Sequence, residues 1–255
     1  MGGTDENGTR KIKSVITANE ILRLLVERGD LSVTELATAL DVTKGTVSVY
    51  LSTLRETGLV VETERGHRPS LRFLDIGNLV REEFPLYKHG KSVADQLALE
   101  VGHVVHLAVV EQNLAVVIYM TEFGNPAIQS ITPIGTTAHL HSTAIGKAML
   151  AQLPESRVDA IIEEQGLTKH TEQTITDKPT LMAELEQIRE RGYAVNDQEN
   201  AVGSCSVGAF VRQPNSSMLG AISTSGYATT FTDEYIDEIA PIVMEKANEI
   251  EVNQS

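Results

Sequence analysis

The 255 residues allow one large domain or two small ones, and 41% hydrophobic with 22% charged residues exclude a disordered chain. The single cysteine, Cys205, excludes an intrachain disulfide and a zinc site built on several thiolates. Neither a membrane-length apolar run nor a signal peptide is recognisable, so the prediction is a cytoplasmic protein. The net charge of −14 argues against a polyanionic partner, but residues 1–75 carry 10 basic and 11 acidic groups while residues 76–255 carry 11 and 24. The acidic groups are thus concentrated after residue 75. This distribution fits either an acidic enzyme or a halophilic DNA-binding protein whose first third, residues 1–75, is nearly neutral.

Three helices are predicted in the front third from their start and stop signals. The first begins with a possible capping box at Thr17–Glu20 and ends at Gly29. The second begins with the capping box Ser32–Glu35. The third is capped by Thr43 and ends at Gly58. Two short helices joined by a tight turn indicate a helix-turn-helix motif.

A β-hairpin is predicted after the third helix. Strands at Leu59–Thr63 and Leu71–Leu74 bracket a polar turn at Glu64–Pro69, and the hairpin makes the unit a winged helix. We therefore predict a flexible arm over residues 1–13 and a DNA-binding domain over residues 14–75, with a protein–protein module as the alternative. The predicted DNA contacts are the outer face of the third helix and the tip of the wing: Thr43, Lys44, Gly45, Thr46, Ser48, Val49, Ser52, Arg65, His67 and Arg68.

The predicted elements of the rear two thirds follow a different pattern, in which strands and helices alternate in groups. A linker helix is predicted over residues 76–86, followed by a second domain over residues 87–255. Strands are predicted at Val104–Val110, Ala115–Met120, Ala127–Thr132, Tyr193–Asn196, Ser204–Arg212 and Leu219–Ser225. Helices are predicted at Leu86–Glu100, Ser142–Gln165 with a break at Pro154, Thr180–Arg191 and Thr232–Val252. This order indicates an α+β domain with a mostly antiparallel sheet.

The rear domain contains reactive residue types but no complete catalytic set. His139 and His141 alternate as on a strand and could share a metal only with a third ligand such as His106 or Glu122. Cys205 beside a histidine could be a nucleophile, although a lone cysteine in a Val/Ala-rich strand is more typical of a core. A metal-dependent sensor or enzyme using His139, His141 and Cys205 stays open as the alternative function.

Three stretches together resemble one family of transcription factors. They are Gly135–Ala151, with the run His139-Leu-His141-Ser-Thr-Ala-Ile-Gly146-Lys147, then Arg191–Cys205, and finally Gly220–Gly226. In this order behind a winged helix, they are similar to the signature of the isocitrate lyase regulator (IclR) family. The acidic bias resembles that of haloarchaeal members.

The resemblance implies a sequence-specific transcriptional regulator without catalysis, metal or cofactor. The expected fold is an N-terminal winged helix-turn-helix and a C-terminal GAF-like effector-binding domain. The expected partners are a double-stranded DNA operator, a second copy of the chain in a homodimer or homotetramer, and a small organic or sugar acid as the effector. The family's effector pocket falls on Ala144, Ile145, Asn196, Cys205, Ser223 and Ser225.

Overall fold

The structure is a computed structural model that describes residues 11–121, 132–213 and 219–254. The chain divides into two compact units, one ending at Val80 and one beginning at Arg81. The fold has the predicted class, because a winged helix is followed by a unit built on an antiparallel sheet.

Three helices form most of the first unit: α1 at Lys13–Arg28, α2 at Val33–Leu40 and α3 at Lys44–Glu56. The capping box of Ser32 and Glu35 is present at α2, and the Thr43 hydroxyl caps α3. The predicted capping box at Thr17 is wrong, because α1 already begins at Lys13. The three helices close on an aliphatic core: Ile21, Leu24, Leu25, Leu36, Val47, Leu51 and Leu54.

The wing consists of two short antiparallel strands, β1 at Val60–Thr63 and β2 at Gly66–Pro69. The predicted second strand at Leu71–Leu74 is wrong, and the expected polar turn contains β2 instead. A backbone bridge between Leu31 and His67 explains the difference, because it ties β2 to the segment that follows α1.

Helix α4 spans Arg72–Glu82, so the linker helix begins and ends about four residues earlier than expected. It has no buried residue, although its sequence is rich in leucine and isoleucine. Helix α5 follows at Pro85–Val101, with the proline in its first turn where a missing N–H costs nothing.

In the described part of the second unit, six antiparallel strands form a sheet in the order β5-β4-β3-β8-β7-β6. Their bounds are β3 Val104–Glu111, β4 Leu114–Met120, β5 Thr137–His139, β6 Ala194–Asp197, β7 Ser204–Val211 and β8 Gly220–Tyr227. The strand expected at Ala127–Thr132 lies almost wholly outside the described residues. The further helices within the described residues are α6 Ala144–Leu150, α7 Glu155–Gln165, α8 Lys178–Arg191 and α9 Asp233–Asn253.

The sheet is covered on both faces. Helices α5 and α9 pack on one face with the inward side chains of β3, β7 and β8. Helices α6, α7 and α8 cover the other face, and small side chains such as Ala108, Ala194 and Ala221 let α6 lie close to the strands. Within the described ranges, no helix has both the length and the apolar character that a bilayer span needs.

Candidate functional site

The outer face of α3 is a surface of short polar side chains. Val47 is fully buried and anchors the helix, so the residues on the opposite side face solvent. The Thr43 hydroxyl accepts from the Thr46 backbone N–H and lies 2.9 Å from the Thr46 hydroxyl. Each predicted contact on this helix is exposed: Thr43, Lys44, Gly45, Thr46, Ser48, Val49 and Ser52. A helix of this kind fits the major groove without bulk that would keep it out.

The wing presents two of its three predicted basic contacts to solvent. Arg65 and Arg68 are exposed, and their guanidinium groups are suited to phosphate oxygens. His67 is buried, because its strand is bridged to Leu31. The structure therefore does not bring His67 to the surface that the sequence assigned to it.

A small polar cavity of about 60 Å³ lies on the α6 face of the sheet. The strand register builds its floor in two rows across β3, β8, β7 and β6. In one row His106 lies opposite Ser223, which lies opposite Gly208. In the next row Ser225 lies opposite Ser206, which lies opposite Asn196. Because directly paired residues point to the same face, these side chains converge on one space.

Helix α6 and its preceding turn close the cavity from above. The Thr143 hydroxyl accepts from the Gly146 N–H and begins the helix, which places Ala144 and Ile145 against the cavity. The described residues that line the cavity are His106, Ala115, Val117, Thr132, Ala138, Thr143, Ala144, Ile145, Asn196, Asn200, Ser204, Ser206, Ser223 and Ser225.

Five of the six residues assigned to the effector pocket line this cavity: Ala144, Ile145, Asn196, Ser223 and Ser225. Cys205 does not, because it points to the opposite face and packs in the core beneath α5 and α9. Burial raises the pKa of its thiol to about 12, so the thiolate is not formed near neutral pH. The assignment of Cys205 to the pocket is corrected by the alternation of side chains along β7.

Six polar residues that line the cavity were not predicted as pocket residues: His106, Thr132, Thr143, Asn200, Ser204 and Ser206. Ser204 and Ser206 flank Cys205, so the two-residue period of a strand would have found them once the face was known. Burial lowers the pKa of His106 to about 4, and its imidazole is therefore neutral at physiological pH.

His139 and His141 cluster with a third histidine, His170, in the same unit. Of the third ligands considered, His106 lines the polar cavity and Glu122 lies outside the described residues.

His139 Nδ1 lies 3.2 Å from His170 Nε2, and His141 Nε2 lies 3.1 Å from the Thr168 carbonyl oxygen. Across residues 11–121, 132–213 and 219–254, no group of three or more His, Cys, Asp or Glu side chains is arranged to hold a metal ion. Cys205 is buried in the core on the α5 and α9 side of the sheet, and within the described residues no hydrogen bond joins it to these histidines.

A buried ion pair connects α6 with the loop beyond β6. The Lys147 side chain is buried, and its ammonium contacts a Glu199 carboxylate oxygen and lies 3.6 Å from Glu184. The Asn196 side-chain oxygen accepts from the Glu199 backbone N–H, so the same loop is held at the cavity wall. Burial raises the pKa of the Glu199 carboxyl despite the opposing charge on Lys147.

A winged helix with an exposed polar helix, joined in one chain to a unit with a polar cavity between a helix and a sheet, is the arrangement of a ligand-responsive DNA-binding transcriptional regulator. Residues 80–252 match the family described as "Bacterial transcriptional regulator IclR C-terminal". Residues 17–61 match the helix-turn-helix family described as "Bacterial regulatory protein, arsR family". The chain belongs to the IclR family of transcriptional regulators.

Individual relatives extend the similarity over nearly the whole chain. The probable HTH-type transcriptional regulator ArcR of Halobacterium salinarum is 33% identical over 247 residues, which cover 95% of this chain and 94% of ArcR. The crystal structure of Thermotoga maritima IclR has 31% identity and a TM-score of 0.82, covering 96% of this chain and 99% of that one. An IclR homolog from Microbacterium hydrocarbonoxydans, complexed with 4-hydroxybenzoate, shares the fold at 15% identity and a TM-score of 0.77, covering 94% and 97% of the two chains.

Proposed function

We propose that this regulator reads its operator through the outer face of α3 and the exposed arginines of the wing, and that a small organic effector in the polar cavity alters that binding. The observation that best supports DNA binding is the row of short polar side chains on α3, which are exposed on the side of the helix opposite the buried Val47. The complex of the Microbacterium relative with 4-hydroxybenzoate supports, by analogy, a small organic molecule as the effector.

The charge distribution supports DNA as the partner of the first unit. Lys44, Arg65 and Arg68 are exposed there, and residues 1–75 have a net charge of only −1 in a chain of −14. Phosphate contacts from these groups would position the protein, and the short side chains of α3 would read base edges. The protein would act in the cytoplasm, without catalysis, and the inert Cys205 thiol supports the absence of a covalent step.

Replacing Ser48 with alanine is expected to relax the preference for particular bases, because a lost hydrogen bond to a base edge costs about 1–3 kcal/mol at the cognate site only. Lys44→Ala and Arg68→Ala are expected to weaken binding to all sequences alike. The measurement is fluorescence anisotropy at fixed salt, with a duplex selected by the wild-type protein from a random pool and with a scrambled duplex.

Ser14→Ala, an exposed serine near the start of α1, is the matched control and should leave both affinities unchanged. If Ser48→Ala, Lys44→Ala and Arg68→Ala all bind both duplexes like the wild type, then α3 and the wing are not the DNA-binding surface.

The exposed apolar side of α4 supports assembly into a homodimer, or a homotetramer built from dimers. Leu74 is 64% exposed and Leu79 is 63% exposed, and no residue of the helix is buried. Apolar surface of this kind is covered in most soluble proteins. A second copy of the chain is the natural cover, since a two-fold axis doubles the few phosphate contacts of one winged helix on an inverted repeat.

Leu74→Glu combined with Leu79→Glu is expected to give monomers and to lower affinity for the selected duplex by at least about tenfold, because each half-site would then bind alone. Light scattering gives the oligomeric state and anisotropy the affinity. Val252→Glu, an equally exposed apolar position in α9, serves as the control. A double variant that stays dimeric would show that the subunits associate elsewhere.

A further inference from the structure

A second cavity of the same unit opens beside the turn that joins β3 and β4. This cavity, the hairpin cleft, has a volume of about 440 Å³, and its described lining residues are all different from those of the cavity beneath α6. Its wall is largely apolar and contains Val110, Leu153, Ile161 and Leu219. Val110 and Leu219 lie side by side, because the Val110 N–H donates to the Leu219 carbonyl oxygen at 3.1 Å. A volume of this size is usual for small-molecule sites.

Arg157 of α7 brings a positive charge to the hairpin cleft. Its Nη2 atom donates to Asn113 Oδ1 at 2.5 Å. Within the described ranges, its Nη1 and Nε atoms make no hydrogen bond and the guanidinium forms no ion pair. Residues 214–218, which directly precede Leu219, contain no aspartate or glutamate that could supply one. The guanidinium therefore keeps donors for a ligand.

A cation without a carboxylate partner is unusual in so acidic a unit. Residues 76–255 carry 24 acidic and 11 basic groups. Two other arginines of the unit are paired, since Arg189 lies 2.7 Å from Glu186 and Arg191 lies 2.8 Å from Glu184. The charge of Arg157 at the edge of an apolar wall is thus one that the anionic group of a ligand would complete.

Asn113 positions the guanidinium at the cleft. Its side chain is 8% exposed, its Oδ1 accepts from Arg157, and its Nδ2 donates to Glu164 Oε2 at 2.5 Å. Gln112 and Asn113 form the two-residue turn of the hairpin, with φ angles of 49° and 63°. Two left-handed residues make a type I′ turn, a conformation that asparagine tolerates well. The amide therefore projects from a fixed turn and stands between Arg157 and the Glu164 carboxylate.

The combination of this guanidinium with an apolar wall selects the chemistry of the ligand. A guanidinium pairs with a carboxylate through two parallel N–H bonds. An exposed ion pair contributes little by itself, so binding also needs an apolar body that covers the wall. A polyol would place hydroxyls against Val110 and Leu219, where they have no partner, and inorganic phosphate would leave the wall uncovered.

We propose that the hairpin cleft is a second ligand site, which takes a small monocarboxylate with an apolar body, such as an aromatic or a branched aliphatic acid. The carboxylate binds Arg157, and the body lies on the wall of Val110, Leu153, Ile161 and Leu219. The proposal goes beyond the proposed function, since it uses neither the cavity beneath α6 nor DNA binding.

Methyl NMR of the full-length protein reads the two cavities separately. Methyl groups of Leu153 and Ile161 report on the hairpin cleft, and those of Val117 and Ile145 report on the cavity beneath α6. The probes are phenylacetate and 4-methylpentanoate. Each is compared with its own amide, which lacks the charge, and with acetate, which lacks the apolar body.

At least one of the two acids is expected to shift the Leu153 and Ile161 signals, and to bind there at least about tenfold more tightly than its amide and than acetate. The proposal is overturned if neither acid shifts these signals, or if acid and amide bind equally. It is also overturned if the signals shift on raising the protein concentration alone and do not respond to the acids, because the cleft is then an interface between copies.

Two variants test the role of the charge. Arg157→Gln is expected to weaken binding of the acid at least about tenfold and to leave binding of the amide unchanged. Asn113→Asp places a carboxylate against the guanidinium and is expected to weaken binding of the acid as well. Lys169→Gln, at another exposed cation, is the matched control, and thermal denaturation checks that each variant is folded. An Arg157→Gln protein that binds the acid as the wild type does contradicts the proposal.

Discussion

Replacing Lys147 with methionine is expected to lower the free energy of unfolding by about 3–5 kcal/mol, because it leaves the Glu199 carboxylate buried without its partner. The methionine keeps the volume of the side chain, so the loss reports charge and not packing. Chemical denaturation at pH 7 in molar KCl measures it. The double variant Lys147→Met with Glu199→Gln is expected to recover part of the loss, because the uncompensated charge is gone.

The same substitution at an exposed ion pair is the control. Lys169 Nζ lies 2.8 Å from Glu172, and the two side chains are 53% and 86% exposed. Lys169→Met is expected to change stability little, because exposed pairs gain little from their attraction. A Lys147→Met protein as stable as the wild type would show that the buried pair does not hold α6 to the loop beyond β6.

Gly146→Ala is expected to cost about 3 kcal/mol of stability, because a side chain at this position meets backbone that is not free to move. A Cβ atom on Gly146 would lie 2.3 Å from the Leu140 carbonyl oxygen and 2.7 Å from the Thr143 hydroxyl oxygen. Both contacts are far inside van der Waals distance, so the turn before α6 would have to open. Thermal and chemical denaturation both measure the loss.

Gly45→Ala is expected to raise stability slightly, in contrast to the loss expected for Gly146→Ala. The added methyl group there meets only the Thr43 hydroxyl at 3.7 Å, and Gly45 is exposed within a helix. Alanine is the better helix former by about 1 kcal/mol, so this variant should be slightly more stable than the wild type. Equal effects of the two substitutions would contradict the close packing assigned to the turn before α6.

Local signals were sufficient where neighbouring residues alone decide the structure. The Ser32–Glu35 capping box and the Thr43 cap were predicted because each is complete within four residues. The helix predicted at Leu86–Glu100 is α5, which begins one residue earlier, at Pro85. The strands of the second unit that lie within the described residues were found from their apolar runs, apart from the three-residue β5.

Contacts between distant parts of the chain account for what was missed. Gly66–Pro69 has the composition of a turn, yet it forms β2 because Leu31 pairs with His67 from 36 positions away. The apolar run after it fits a strand or a helix equally well, and the helix α4 forms there. Cys205 was assigned to the pocket because a motif gives the order of residues along β7 but not the face that each one occupies.

The glycine at position 208 fixes how closely α6 approaches the sheet. A Cβ atom there would lie 3.1 Å from the Ala144 carbonyl carbon and the Ile145 nitrogen, so the backbone of α6 rests directly on β7. Any larger residue would have to lift the start of α6 by a few tenths of an ångström. Residue 208 thus acts as a spacer that sets the height of the cavity roof. A larger residue at position 208 would therefore widen the space between α6 and β7 without altering any side chain that lines the cavity.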